Sequence, residues 1–173
     1  FGKLVNAGQT CIAPDYVLLP RARMQDFIEK ASRVTAAMYP RLEQNRQYAS
    51  IVSDRQYERL VGLRDHALAA GAQLHPLSEA ADDPARRLLP PQLLSAVTGD
   101  MAVMREEIFG PLLPLLPYDS LDEAIAWVVA RPHPLALYLF EQNRTLVDKV
   151  LANTTAGGVS VNDTLYHIAQ HGL

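Results

Sequence analysis

The 173-residue chain has one cysteine, which stands in Asn6-Ala7-Gly8-Gln9-Thr10-Cys11-Ile12-Ala13-Pro14-Asp15-Tyr16. A thiolate attacks a carbonyl carbon well, and backbone N–H groups after a glycine-containing turn can favour the thiolate or hold an oxyanion. With a free-thiol pKa near 8.5, only ~3% is thiolate at pH 7; a pKa of about 7 would raise that roughly fifteen-fold. Taken alone, an isolated cysteine is more often a small buried hydrophobe. A second group is Arg105-Glu106-Glu107-Ile108-Phe109-Gly110-Pro111. Adjacent carboxylates on an extended chain point to opposite faces, so at most one of the pair reaches a given site. A carboxylate that accepts both hydroxyls of a ribose, beside an aromatic that packs on a flat ring, suits a nucleotide. The same residues also read as a solvated Glu pair before a Gly-Pro turn.

Two further groups are weaker. Gly157-Gly158-Val159-Ser160-Val161-Asn162-Asp163 places Asn162 at a strand end, where α/β sheets collect ligand-binding residues, or simply stops a helix and starts a strand. His167 and His171 have the spacing of two ligands on one helix face, but no third Cys or His lies nearby, so no metal is expected. His66, His75 and His133 are scattered, and no local signature pairs any of them with Cys11.

These residues need a scaffold, and the pattern supplies an alternating one. Asp15–Leu19 reads as a strand ended by Pro20, and Arg23–Tyr39 as an amphipathic helix closed by Pro40. Ser53-Asp54 can cap a helix over about Arg55–Ala70, with Gly71 as its stop. Pro76–Pro91 reads as an exposed loop feeding a strand at Leu93–Thr98. Beyond it come a strand at Leu112–Tyr118, a Ser120…Glu123 capping box with a helix to about Ala130, and a strand at Leu135–Phe140. A helix at about Arg144–Thr154 and a strand at Val159–Val161 follow. Strands alternating with helices predict an α/β fold, a mostly parallel sheet flanked by helices.

Composition narrows the partners. Sixteen Lys+Arg against nineteen Asp+Glu give a net charge of −3 and no basic stripe, so nucleic acid is not expected. Apolar runs such as Pro111–Pro117 are broken by proline and fall far short of the ~18–20 residues of a membrane span. A single cysteine makes no internal disulfide, which predicts a reducing, cytoplasmic location. The chain opens Phe1-Gly2-Lys3-Leu4 without an initiator methionine and closes at His171-Gly172-Leu173 as if mid-loop, so a piece of a longer protein is expected.

In order and spacing, these segments resemble the catalytic domain of the aldehyde dehydrogenase superfamily, in its class 3 and coniferyl aldehyde dehydrogenase branch. The resemblance rests on Gly8-Gln9-Thr10-Cys11 with Ala13-Pro14-Asp15-Tyr16, on Glu106-Glu107-Ile108-Phe109-Gly110-Pro111, on Pro134-Leu135-Ala136-Leu137-Tyr138, and on Gly157-Gly158-Val159 with Asn162-Asp163. It spans essentially the whole chain and implies a single catalytic domain over residues 1–173. It implies that Cys11 is the nucleophile, forming a thiohemiacetal with an aldehyde, the oxyanion held partly by the Cys11 backbone N–H. Hydride then passes to NAD or NADP, and water hydrolyses the thioester to a carboxylic acid. Glu107 matches the residue that binds the nicotinamide ribose hydroxyls, Phe109 the aromatic beside them, and Asn162 a pocket-lining or supporting residue. The covalent step makes chemical sense, because a free aldehyde is a poor hydride donor and the tetrahedral adduct a good one.

The resemblance also implies what lies elsewhere. In the family the general-base glutamate, the oxyanion-hole asparagine and the coenzyme-binding turn precede the nucleophile segment, and an aromatic, glycine-rich segment follows the point where this chain ends. The isolated chain is thus expected to bind coenzyme weakly and turn over negligibly, with most NAD or NADP contacts in the missing domain. A small aldehyde, aromatic and of coniferyl type, is the expected substrate, and a homodimer the expected intact enzyme. Two alternatives stay open: a relative that passes the thioester to CoA or phosphate, and a non-catalytic binding or assembly module that keeps the fold.

Overall fold

A computed structural model describes residues 1–169, so the readings placed on His171 and on the end of the chain lie outside the described residues. The chain forms two compact units, one of residues 3–117 and one of residues 118 onward together with Phe1–Gly2.

The first unit is built on four strands: β1 (Val17–Pro20), β2 (Gln73–Pro76), β3 (Gln92–Ser95) and β4 (Leu112–Tyr118), in the order β1-β4-β3-β2. β3 and β4 run parallel, with Gln92, Leu93 and Leu94 opposite Leu112, Leu113 and Pro114. Strand alternation then sends side chains to two cores. Leu94 and Leu112 join Leu60, Leu63 and Ala67 of helix α2 (Asp54–Ala69) on one face. Leu93, Leu113 and Leu115 meet Phe27, Ile28 and Ala31 of helix α1 (Met24–Met38) on the other. Helices thus cover both faces of the sheet, the α/β layering that the alternating pattern predicts.

The ends of α2 follow from its sequence. The Ser53 hydroxyl accepts the Gln56 N–H at the N-terminus. At the other end Gly71 takes φ +101, Gly71 N–H bonds to Leu68 O at 3.0 Å and Ala72 N–H to Ala67 O at 2.9 Å, the paired bonds that close a helix on a left-handed glycine. β2 follows at once. No strand is expected there from sequence, because Gln73-Leu74-His75-Pro76 is too short and too polar to show a period; its pairing is antiparallel to β3, from Gln73 opposite Ser95 to Pro76 opposite Gln92, so this edge of the sheet is mixed. β3 is shorter than expected. It stops at Ser95 because Ala96 turns to φ 55, which no strand residue adopts.

The second unit contains helix α3 (Leu121–Val129), β5 (Ala136–Leu139), helix α4 (Arg144–Asn153) and β6 (Gly158–Val161). β5 and β6 are parallel, Ala136 opposite Gly158 through Leu139 opposite Val161, with α4 as the crossover. The Ser120 hydroxyl accepts Glu123 N–H at 3.2 Å as its capping box predicts, but the Glu123 carboxylate reaches Asp119 N–H at 2.8 Å, one residue earlier than the usual return bond. Among the described residues no helix is long and apolar enough to cross a membrane.

Candidate active site

The segment before Cys11 is strained. Asn6, Ala7 and Gly8 take φ of 51, 52 and +73 in succession, a left-handed turn that only glycine enters freely. Asn6 and Gln9 hold it by reciprocal bonds: Asn6 Nδ2 donates to Gln9 O at 3.1 Å, and Gln9 Nε2 donates to Asn6 O at 3.0 Å. Ala13 N–H donates to Thr10 O at 3.0 Å, so Cys11 lies on the next turn, and it is exposed.

The Glu106–Pro111 segment lies against this loop. Gly8 has no room for a side chain: a Cβ there would overlap Gly110 O and crowd Lys3 O. Four residues beyond the cysteine, Asp15 Oδ1 accepts the Ile108 N–H at 3.0 Å. The two ties bracket Cys11 and bring its segment to the one that carries Glu107 and Phe109.

Helix α2 grips the same segment from its own side. Arg59, oriented by a 2.8 Å bond to Gln56 Oε1, donates to Glu107 O at 3.2 Å and to Ile108 O. The neighbouring Leu60 fills the space that a Cβ on Gly110 would need. Ile108 is fully buried in the core. Burying it contributes roughly 1.5–3 kcal/mol. With Ile108 held at N–H, carbonyl and side chain, Phe109 takes φ 48, a conformation rare for a bulky residue, and stays 39% exposed. Glu107 is exposed on the other side of Ile108, while Glu106 lies 3.9 Å from Arg59. Both carboxylates of the pair are exposed, so their burial does not single out one of them.

A buried charge completes the arrangement. Lys3 is 7% exposed, and its Nζ has no hydrogen-bond partner among the described residues. Burial pushes its ammonium down to about 8, against the attraction of Asp15 and Glu107. Burial likewise raises the Asp15 carboxyl above its usual range, opposed by Lys3 and by the bond from Ile108 N–H.

The structure therefore joins the Cys11, Glu107 and Phe109 segments within the first unit. Asn162 lies in the second unit with φ 60, and its carboxamide is used on backbone: Oδ1 accepts Glu141 N–H and Nδ2 donates to Glu141 O, both at 2.9 Å. It ties the end of β6 to the turn after β5. His167 Nδ1 lies 3.3 Å from Ser160 Oγ, with its ring beside Tyr138. The sequence by itself assigns no role to Lys3 or Arg59, and shows Gln9 and Asp15 only as parts of a motif. Lys3 and Asp15 carry no local signal, since their burial is tertiary.

Residues 1–172 match the family model described as "Aldehyde dehydrogenase family". The chain is 50% identical over 173 residues to a "Probable coniferyl aldehyde dehydrogenase" of Pseudomonas aeruginosa, covering 100% of this chain and 36% of that protein. It is 36% identical over 174 residues to the Bos taurus "Aldehyde dehydrogenase, dimeric NADP-preferring", covering 100% of this chain and 70% of that one. Among solved structures, the "Substrate bound state of Staphylococcus Aureus AldH" superposes with a TM-score of 0.91 at 41% identity, over 100% of this chain and 37% of the other. The chain spans little more than a third of the length of its bacterial relatives.

Proposed function

The chain belongs to the aldehyde dehydrogenase family, and on that premise we propose that it is the catalytic portion of an NAD(P)-dependent enzyme that oxidises an aldehyde to a carboxylic acid. One observation carries the reading. The two ties on either side of Cys11, Gly8 against Gly110 and Asp15 to Ile108, bring an exposed thiol's segment to the segment of an exposed carboxylate and a half-exposed aromatic.

Cys11 Sγ attacks the aldehyde carbon, and the oxygen gains the charge that the Cys11 backbone N–H receives. The strained turn before it fixes where that N–H points. Glu107, acceptor-only when ionised, takes hydrogen bonds from the two hydroxyls of a ribose, and Phe109 offers a ring edge or face to the same ligand. These residue types fit a nicotinamide nucleotide. A nucleotide held there would supply a hydride acceptor for oxidation of the Cys11 adduct. Cys11 stays covalently bound until water releases the acid, and no residue of this chain is assigned as the base for that step.

An aromatic aldehyde of the coniferyl type is the substrate class, supported by the names of the bacterial relatives. A homodimer, and NADP as one of the two coenzymes, are supported by the name of the bovine one. The test is steady-state oxidation of coniferyl aldehyde by the full-length enzyme, followed by coenzyme reduction with NAD and with NADP. Cys11→Ser should lower kcat by a factor on the order of 10⁴ while the fold is retained. A folded Cys11→Ser enzyme of normal rate would end the reading.

A further inference from the structure

We infer that Gln9 is a positioning residue for Cys11, its carboxamide standing in for a peptide group beside the Ser50–Val52 segment and thereby fixing the strained turn that leads into the nucleophile. The inference rests on the reading of Cys11 as the nucleophile. Gln9 is only 8% exposed. Both donors and the acceptor of its side chain are used: Nε2 donates to Asn6 O at 3.0 Å and to Ser50 O at 3.1 Å, and Oε1 accepts Val52 N–H at 2.9 Å. Bonding the carbonyl of one residue and the N–H two residues later is what a neighbouring strand does.

The far edge of the same segment is closed as well. Ile51 N–H donates to Arg87 O at 2.8 Å, and Arg87 Nε donates to Ile51 O at 2.9 Å. Ile51 itself is 1% exposed in the core. Gln9 therefore fastens the turn to a segment that is already fixed on its other side.

The need for such an anchor is visible two and three residues upstream. Asn6 and Ala7 hold positive φ without being glycine, and such conformations persist only where their surroundings dictate them. Gln9 supplies that constraint through Asn6 O, one of the carbonyls of the turn. Its own backbone N–H donates to Asn6 O as well, at 3.1 Å, so one carbonyl is gripped by both the main chain and the side chain of Gln9. Cys11 stands two residues further on. A carboxamide is required rather than any polar group of its length, because two carbonyls and one N–H must be met at once, and a carboxylate has no donor for the two carbonyls.

Two substitutions test this in the full-length enzyme, with iodoacetamide as the probe of Cys11 and amide hydrogen exchange as the probe of residues 6–13. Gln9→Met keeps the volume and loses the bonds. It should speed exchange in that segment, slow alkylation of the folded protein by on the order of ten- to a hundredfold, and lower kcat with little change in coenzyme KM. Gln9→Glu should behave likewise at pH 8 and recover toward the wild-type rate as pH falls, since the protonated acid regains one donor. A merely structural glutamine would lower urea resistance and leave the alkylation rate of the folded protein unchanged. Folded variants with wild-type alkylation and wild-type exchange overturn the inference. The reading of Cys11 fails separately, if wild-type Cys11 alkylates no faster than a model thiol across pH 6–9.

Discussion

Gly8 and Gly110 meet backbone to backbone, so closely that a Cβ on Gly8 would overlap the Gly110 carbonyl oxygen. Two glycines far apart in sequence thus let two loops touch, and each loop carries part of the proposed chemistry. Gly8 also needs its φ of +73, so a methyl group there is opposed twice.

Gly8→Ala should destabilise by at least about 2 kcal/mol, combining left-handed strain with overpacking. Gly62 is the control: it lies inside α2, and a Cβ there would meet nothing within 4 Å, so Gly62→Ala should stabilise by about 0.5–1 kcal/mol. Urea unfolding of both variants measures the contrast. Equal shifts of one sign would refute the close approach.

Asp15→Ala removes the acceptor from the Ile108 N–H, which is buried with its residue. The orphaned donor should cost about 1–3 kcal/mol. Because the same bond sets the backbone that presents Glu107 and Phe109, coenzyme KM should rise while the alkylation rate of Cys11 changes little. Asp15→Asn, which retains an oxygen acceptor, should lose less of both. A coenzyme KM unaffected by Asp15→Ala would show that the bond does not position the segment.

Much of this arrangement is legible in the sequence. The helices α1 to α4 stand near the ranges read from sequence, α1 by its apolar period and α2 and α3 by their caps, and β4 over Leu112–Tyr118 stands where its apolar run predicts. Ser53, Ser120 and Gly71 act as local punctuation, and local chemistry is what a sequence displays. β2 is hidden because a four-residue edge strand draws its stability from β3, not from its own pattern. Lys3 is hidden for a similar reason: nothing in Phe1-Gly2-Lys3-Leu4 says that the ammonium is buried near Asp15 and Glu107. Cys11, Glu107 and Phe109 are visible by residue type and order, whereas Arg59 and Gln9 act through backbone atoms of distant segments, which no motif displays.

Glu107→Gln should weaken coenzyme binding, since the amide offers one acceptor oxygen and a donor in place of a carboxylate that can serve two hydroxyls. Losing a charged acceptor costs roughly 1.5–3 kcal/mol, so coenzyme KM should rise by about ten- to a hundredfold. Cys11 alkylation in the absence of coenzyme should stay at the wild-type rate. Unchanged coenzyme affinity would remove Glu107 from the binding site.

Lys3 makes stability depend on pH in a definite direction. Its ammonium titrates at about 8 in the folded chain against 10.5 for a free lysine, so between those values the unfolded chain binds more protons. Stability must then rise with pH across that window, because the cost of burying the charge is present in full below about pH 8 and disappears as the unfolded lysine also deprotonates. A difference of that size corresponds to about 3 kcal/mol, the attraction of Asp15 and Glu107 for the ammonium already being set against the burial cost. Lys3→Met removes the titrating group and keeps the buried stem. Urea unfolding from pH 7 to 10.5 should show the wild type gaining on Lys3→Met as pH rises, with groups common to both cancelling in the difference. A difference that stays flat, or falls, would mean that the Lys3 ammonium is not buried in this way.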